Sequence, residues 1–152
     1  MGLDLYVFFL FWITFIGATV GSFLNVLTYR LPRGMNIAFP ASHCPNCQSP
    51  IRPWHNIPVF GWLILRGRCY DCHEPISIRY PIVEAITGGI WLILSLAVFR
   101  WSQNSFSIWF FASVGVGILA SVLGGAILVY REKAKIRRET FPKNEKDNKD
   151  NK

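Results

Sequence analysis

Cys44-Pro-Asn-Cys-Gln-Ser-Pro-Ile51 and Cys69-Tyr-Asp-Cys-His-Glu-Pro-Ile76 are two copies of one pattern, Cys-x-x-Cys-x-x-Pro-Ile. They sit between apolar stretches long enough to cross a bilayer. Each feature limits the other: the flanking spans decide which compartment the thiols face, and the compartment decides between disulfides and a metal.

Of the 152 residues, 51% are hydrophobic and 15% aromatic, and the apolar residues fall into three blocks. Leu5 to Leu27 and Phe106 to Tyr130 carry no charge, and Ile82 to Phe99 carries only Glu84. A membrane-crossing helix needs about 20 mostly apolar residues. The first and third blocks meet this, and the second does so with Tyr80 and Trp101 as interfacial ends. A secretory signal peptide is the competing reading of the first block. It would have a basic leading segment and a shorter apolar stretch. Here the early charge is Asp4, and the run ends in Thr28-Tyr29-Arg30, so a retained helix is expected.

No Lys or Arg precedes the first span. The segment from Tyr29 to Pro81 holds six (Arg30, Arg33, Arg52, Arg66, Arg68 and Arg79), Arg100 stands alone before the third span, and nine follow Tyr130. By the positive-inside rule the N-terminus lies outside, and the cysteine loop and C-terminus lie in the cytosol. The net charge of +7 is then largely a record of topology and requires no nucleic acid. The expected organisation is a membrane protein, mainly α, with a first transmembrane helix over 1–28 and a cytosolic zinc-ribbon-like loop over 29–80. A second helix follows over 81–101, an external turn over 102–105, a third helix over 106–130 and a basic tail over 131–152, in which Arg131 to Arg138 can extend the third helix and the stretch after Phe141 is expected to be disordered.

In a reducing cytosol, paired cysteines read as metal ligands or redox groups rather than structural disulfides. The spacing Cys-x2-Cys-x21-Cys-x2-Cys is one residue beyond the usual four-cysteine zinc range. Two such turns present four soft thiolates, which suits a tetrahedral Zn2+. Cys44, Cys47, Cys69 and Cys72 are therefore the expected ligands of a structural zinc. A closed four-thiolate site keeps no open position for metal catalysis. The competing readings are free thiols, or a redox pair, which needs only one Cys-x-x-Cys. His43, His55 and His73 lie close enough to replace a thiolate, but four cysteines already complete the site.

Between the knuckles, Pro53 to Leu65 is apolar but broken by Pro58 and Gly61. Its side chains can pack on the loop or lie at the membrane interface, where tryptophan is favoured. A substrate-binding role is the weaker alternative. The first span carries Thr14, Gly17, Gly21, Asn25 and Thr28 on one helical face, and the third carries Ser113, Gly117, Ser121 and Gly125. Small-residue stripes allow close helix approach, either among these three spans or against another membrane protein. Glu84, three residues after Pro81, reads as a helix-terminal or arginine-paired acid. An intramembrane acid is also a functional candidate by default.

Further motifs are Gly21-Ser-Phe-Leu-Asn-Val26, Tyr29-Arg-Leu-Pro32, Ile51-Arg-Pro-Trp54, Asn56-Ile-Pro58, Arg66-Gly-Arg-Cys69 and Arg79-Tyr-Pro-Ile-Val-Glu84. With the first cysteine pair, in this order, they resemble the N-terminal domain of type IV prepilin peptidases, over about residues 17–88. The resemblance implies a bacterial inner-membrane protein whose tetracysteine loop is cytosolic and binds zinc. It implies a system that cleaves prepilin and type II pseudopilin leaders and methylates the new N-terminus, with S-adenosylmethionine as donor. In that family two aspartates cut, one of them in Gly-x-Gly-Asp. This sequence has Asp4, Asp71, Asp147 and Asp150 and no Gly-x-Gly-Asp, so no catalytic residue is assigned.

Three readings follow from these residues. The first is an accessory or split component, lacking peptidase activity of its own, that works with a separate two-aspartate membrane subunit on prepilin-like substrates. The second is a non-enzymatic zinc-ribbon adaptor that docks a partner through Trp54 and Trp62. The third, ranked last, is a membrane-tethered nucleic-acid binder. A methyltransferase acting alone stays open beside them, although no glycine-rich nucleotide loop is visible.

Overall fold

Three long helices follow from the three apolar blocks, and the computed structural model describes residues 3–101 and 106–140 of the chain. Helix α1 spans Leu3–Arg30 and continues into a 3-10 turn, Leu31–Arg33. A second 3-10 turn, Pro53–Asn56, and a five-residue helix α2, Phe60–Ile64, lie in the cysteine loop. Helices α3, Arg79–Trp101, and α4, Phe106–Thr140, complete the bundle. All three long helices are long and apolar enough to cross a membrane. Among the described residues there is no strand; each knuckle contributes one isolated antiparallel bridge, His43 with Pro50 and Arg68 with Pro75.

The helices do not stop where the apolar runs stop. α3 begins at Arg79, which places Pro81 in its first turn, where its missing N–H costs nothing. α4 continues past Tyr130 to Thr140. Of the two readings of the segment after Tyr130, helix covers residues 131–140. The physical reason is that Lys, Arg, Glu and Ala all favour helix. A Lys135–Glu139 pair at 3.9 Å also lies along one face. The rest of the expected tail, 141–152, and the expected external turn, 102–105, lie outside the described residues.

The small-residue stripes are used inside the bundle. Gly21 of α1 lies against the Glu84 backbone and the Thr87 side chain of α3, and Gly88 of α3 lies against the Thr14 carbonyl and Ala18. Asn25 donates from Nδ2 to the Tyr80 carbonyl at 3.1 Å, tying the end of α1 to the start of α3. Trp91 of α3 fills the space between Gly17 of α1 and Gly117 of α4, and it is 1% exposed. Its indole N–H donates to Ser121 Oγ at 2.9 Å, which donates in turn to the Gly117 carbonyl. Gly125 of α4 receives Leu24 of α1. The stripes thus serve internal packing and are not free to act as the docking face for a separate subunit.

At the loop end of the bundle, Arg30 is buried, and its guanidinium donates to the carbonyls of Asn36, Ile37 and Pro40 at 3.1, 2.9 and 2.7 Å. The chain leaving α1 is thereby folded back over the helix end. Glu132 of α4 pairs with both Arg33 and Arg79, at 3.7 and 3.9 Å. All three long helices are therefore in register at one level, marked by arginines.

Candidate metal centre

The internal repeat in sequence is a repeat in hydrogen bonding. In the first knuckle Cys44 N–H donates to the Ser49 carbonyl, Gln48 N–H to Cys44, and Ile51 N–H to Ser42. In the second, Cys69 N–H donates to Glu74, His73 N–H to Cys69, and Ile76 N–H to Gly67. Every donor and acceptor is displaced by the same interval that separates Cys44 from Cys69. The turn requires a left-handed residue four positions after the first cysteine, supplied by Gln48 at φ 59° and His73 at φ 58°. Pro50 then faces His43, and Pro75 faces Arg68, in the single bridge that closes each turn.

These turns bring the four Sγ atoms of Cys44, Cys47, Cys69 and Cys72 within 4.8 Å of one another. Across the two knuckles, Cys44 lies 3.7 Å from Cys72 and Cys47 lies 3.9 Å from Cys69. A tetrahedral ion with sulfur ligands at about 2.3 Å has sulfur–sulfur edges of about 3.8 Å. The two short edges match that figure. Each knuckle supplies one buried cysteine, Cys44 or Cys69, and one more open one. The four cysteines are thus positioned to bind a metal ion, and the all-thiolate donor set is consistent with zinc.

Without an ion, the neighbouring thiols Cys47 and Cys72 compete for charge. The Ser49 hydroxyl, and then its backbone N–H, lower Cys47 to about 6. Cys72 receives the Glu74 backbone N–H, which favours its thiolate, yet desolvation and the Cys47 and Cys69 sulfurs push it up to about 11. A bound dication removes that competition, since all four ligands can then be deprotonated together.

None of the three histidines joins the cluster. His43 contacts the Ala41 carbonyl through Nδ1 at 2.8 Å, and His73 is the left-handed residue of its knuckle. His55 lies against Tyr70, with ring centroids 5.1 Å apart. Arg52 bridges the knuckles, with its guanidinium 4.0 Å from the Tyr70 ring centroid and 3.9 Å from Asp71.

Two residues have partners that the sequence does not name, and for Trp62 packing on the loop, one of the expected alternatives, is the role found. Trp62, offered as a docking residue, instead donates its indole N–H to the Ile76 carbonyl at 3.0 Å and covers Gly67. Glu84 pairs with no arginine among the described residues and does not cap its own helix. Its Oε2 accepts the Val59 N–H at 2.6 Å. Val59 has φ 63°, an unusual conformation for a β-branched residue, and it begins α2. Glu84 thus holds a strained turn of the cysteine loop against the bundle. Hydrogen bonds to charged groups contribute about 1.5–3 kcal/mol. Glu84→Ala should therefore lower the thermal midpoint of the detergent-solubilised chain by several degrees, while Glu84→Gln retains part of the loss. Equal midpoints for Glu84→Ala and the parent would show that this bond does not hold the loop.

The comparisons with known proteins point to one group. The profile of the bacterial peptidase A24 N-terminal domain matches residues 15–98. The type 4 prepilin-like proteins leader peptide-processing enzyme of Escherichia coli O78:H11 is 38% identical, over 60% of this chain and 40% of its own length. The prepilin leader peptidase/N-methyltransferase of Klebsiella pneumoniae is 46% identical, over 51% of this chain and 36% of its own. That of Neisseria gonorrhoeae is 41% identical, over 48% and 34%. The chain thus spans two fifths or less of the length of these relatives. No solved structure matches it.

Proposed function

The chain belongs to the family of the bacterial peptidase A24 N-terminal domain, and from that premise we propose that it serves type IV prepilin processing as the metal-bearing membrane domain, without cutting the leader itself. The observation that carries this reading is the duplicated four-cysteine knuckle inside the matched segment, 15–98. The relatives' names supply the substrate class, prepilins and prepilin-like proteins. In this reading the ion is a structural Zn2+ held by Cys44, Cys47, Cys69 and Cys72. It locks the knuckles together and leaves no coordination position for a substrate.

Aspartic proteolysis needs two carboxyls close enough to share a proton. Asp4 stands in the first turn of α1, and Asp71 stands in the second knuckle beyond that helix's other end, paired with Arg52. They cannot form a dyad. Asp147 and Asp150 lie outside the described residues. The cutting carboxylates would therefore come from a second polypeptide segment with paired aspartates. The arginine-rich loop end favours an inner-membrane orientation with the knuckles and the C-terminal end of α4 in the cytosol.

Co-production of this chain with a two-aspartate membrane subunit, followed by assays of prepilin cleavage and N-methylation, tests the reading. Association should be detectable, and processing should require or be stimulated by this chain. Normal processing without it, together with no association, overturns the reading.

A further inference from the structure

Pro53 to Leu65 contains no Asp, Glu, Lys or Arg. An apolar run of this length is too short to span a bilayer but suits an interfacial or re-entrant segment. Its side chains are sorted by face. Gly61 is buried, and a side chain there would meet the His55 carbonyl. Trp62 turns toward Ile76 and Gly67, against the second knuckle. Phe60, Leu63 and Ile64 point away from the protein and are 59, 55 and 65% exposed.

The depth of this segment is set by its neighbours. Arg33 and Arg79 share Glu132, so they mark the charged edge of the bundle. The Val59 N–H, immediately before Phe60, is held by Glu84. Glu84 lies five residues into α3 from Arg79, about 7.5 Å along the axis at 1.5 Å per residue. On α1 its neighbour is Gly21, nine residues before Arg30, about 13.5 Å along that axis. Both helices place the Glu84–Val59 bond on the span side of the charged edge. Arg66 and Arg68, which follow the segment, suit a negatively charged surface.

We propose that α2 is seated in the membrane interface, with Phe60, Leu63 and Ile64 in contact with lipid. The four-cysteine cluster then lies against the bilayer rather than projecting from it. The occupant is lipid because the exposed apolar face is continuous in depth with the spans themselves.

Photo-crosslinking of the full chain tests this. Benzoylphenylalanine replaces Phe60, Leu63 or Ile64 singly, with Glu74, exposed in the second knuckle, as the control position. The probes are vesicles of phosphatidylethanolamine and phosphatidylglycerol, and native bacterial membranes. All three side chains are exposed, and metal content checks that each variant folds. Phospholipid adducts should exceed those at position 74 by tenfold or more in both preparations. Adducts no more abundant than at position 74, or a protein as the dominant adduct in native membranes, overturn the proposal. A second measurement uses Leu63→Trp in vesicles of lipid brominated near the headgroup end of the acyl chains. The added emission should be quenched, and unquenched emission overturns the proposal.

Discussion

Removing the metal, or replacing Cys44 or Cys69 by serine, should unfold the loop between α1 and α3 while leaving the long helices in place. The reason is that, beyond the anchors at Arg30 and Glu84 and the Trp62–Ile76 bond, the loop has little regular structure to hold it. It contains no strand, one isolated bridge per knuckle and a single five-residue helix. Among its few buried side chains are the cysteines themselves, Cys44 and Cys69 at 8% exposure. Structural zinc binding contributes about 10–16 kcal/mol in small domains at neutral pH, comparable to a typical domain's whole stability of about 5–15 kcal/mol. Even outer-shell changes cost about 10–100-fold in metal affinity, and losing a ligand costs more. One metal ion per chain is expected for the parent, and none after strong chelation or in the double variant Cys44→Ser/Cys69→Ser. Limited proteolysis should then cut between residues 34 and 77, with helix content nearly unchanged. Acid should act as the chelator does, because protons compete for the thiolates. Unchanged metal content in the double variant would contradict the site, as would a loop that stays protease-resistant after chelation.

Trp91→Ala should be the most damaging single change within the bundle. The Trp91 side chain occupies a slot with glycine on both walls, Gly17 on α1 and Gly117 on α4. It is therefore one of the side chains at which all three long helices meet, as Trp109 is beside Tyr6 and Phe99. Truncating a buried tryptophan costs about 3–5 kcal/mol, through lost contacts and the remaining cavity. In lipid, helix association depends on such packing, because apolar burial gives helices no advantage over acyl chains. Trp91→Phe should lose less, keeping an aromatic wedge but not the bond to Ser121. The reverse change, Gly117→Val, puts a side chain where the indole ring lies and should also destabilise. Unfolding of the detergent-solubilised chain, followed by helical circular dichroism, should rank parent, Trp91→Phe, then Trp91→Ala. Equal midpoints for all three would show that the wedge is not what joins the helices.

The parts of this fold visible in sequence are those with a local cause. The uncharged run from Leu5 to Leu27 is long enough to demand a spanning helix, and it lies within α1. The cysteine cluster is equally legible, because ligand spacing and a repeated Pro-Ile fix the turn that presents the thiols. What escapes depends on partners distant in the chain. The stripe on α1 announces close approach but does not say to which helix. Only the placement of Trp91 and Thr87 opposite Gly17 and Gly21 answers that. Glu84 carries the signal of an intramembrane acid, yet its partner is a backbone N–H well before it in the loop, that of Val59. The extension of α4 to Thr140 is half legible, as one of two readings of the segment after Tyr130. Its charged composition matches both solvated helix and disorder; propensity and the Lys135–Glu139 pair favour helix, and Glu132 beside two arginines adds a tertiary anchor.

The pairing of cysteines across the two knuckles has a consequence for how the helices find each other. Without an ion, the chain from Arg30 to Arg79 closes a loop of about 50 residues before α1 and α3 can pack, at an entropic cost that grows as (3/2)RT ln n. A metal ion joining Cys44 to Cys72 shortens the free tether to about 20 residues, which lowers the closure cost by about 0.8 kcal/mol, roughly fourfold in effective concentration. Coupling of this kind is reciprocal. Packed helices should hold the ion more tightly than separated ones, by the same factor that the ion favours their packing.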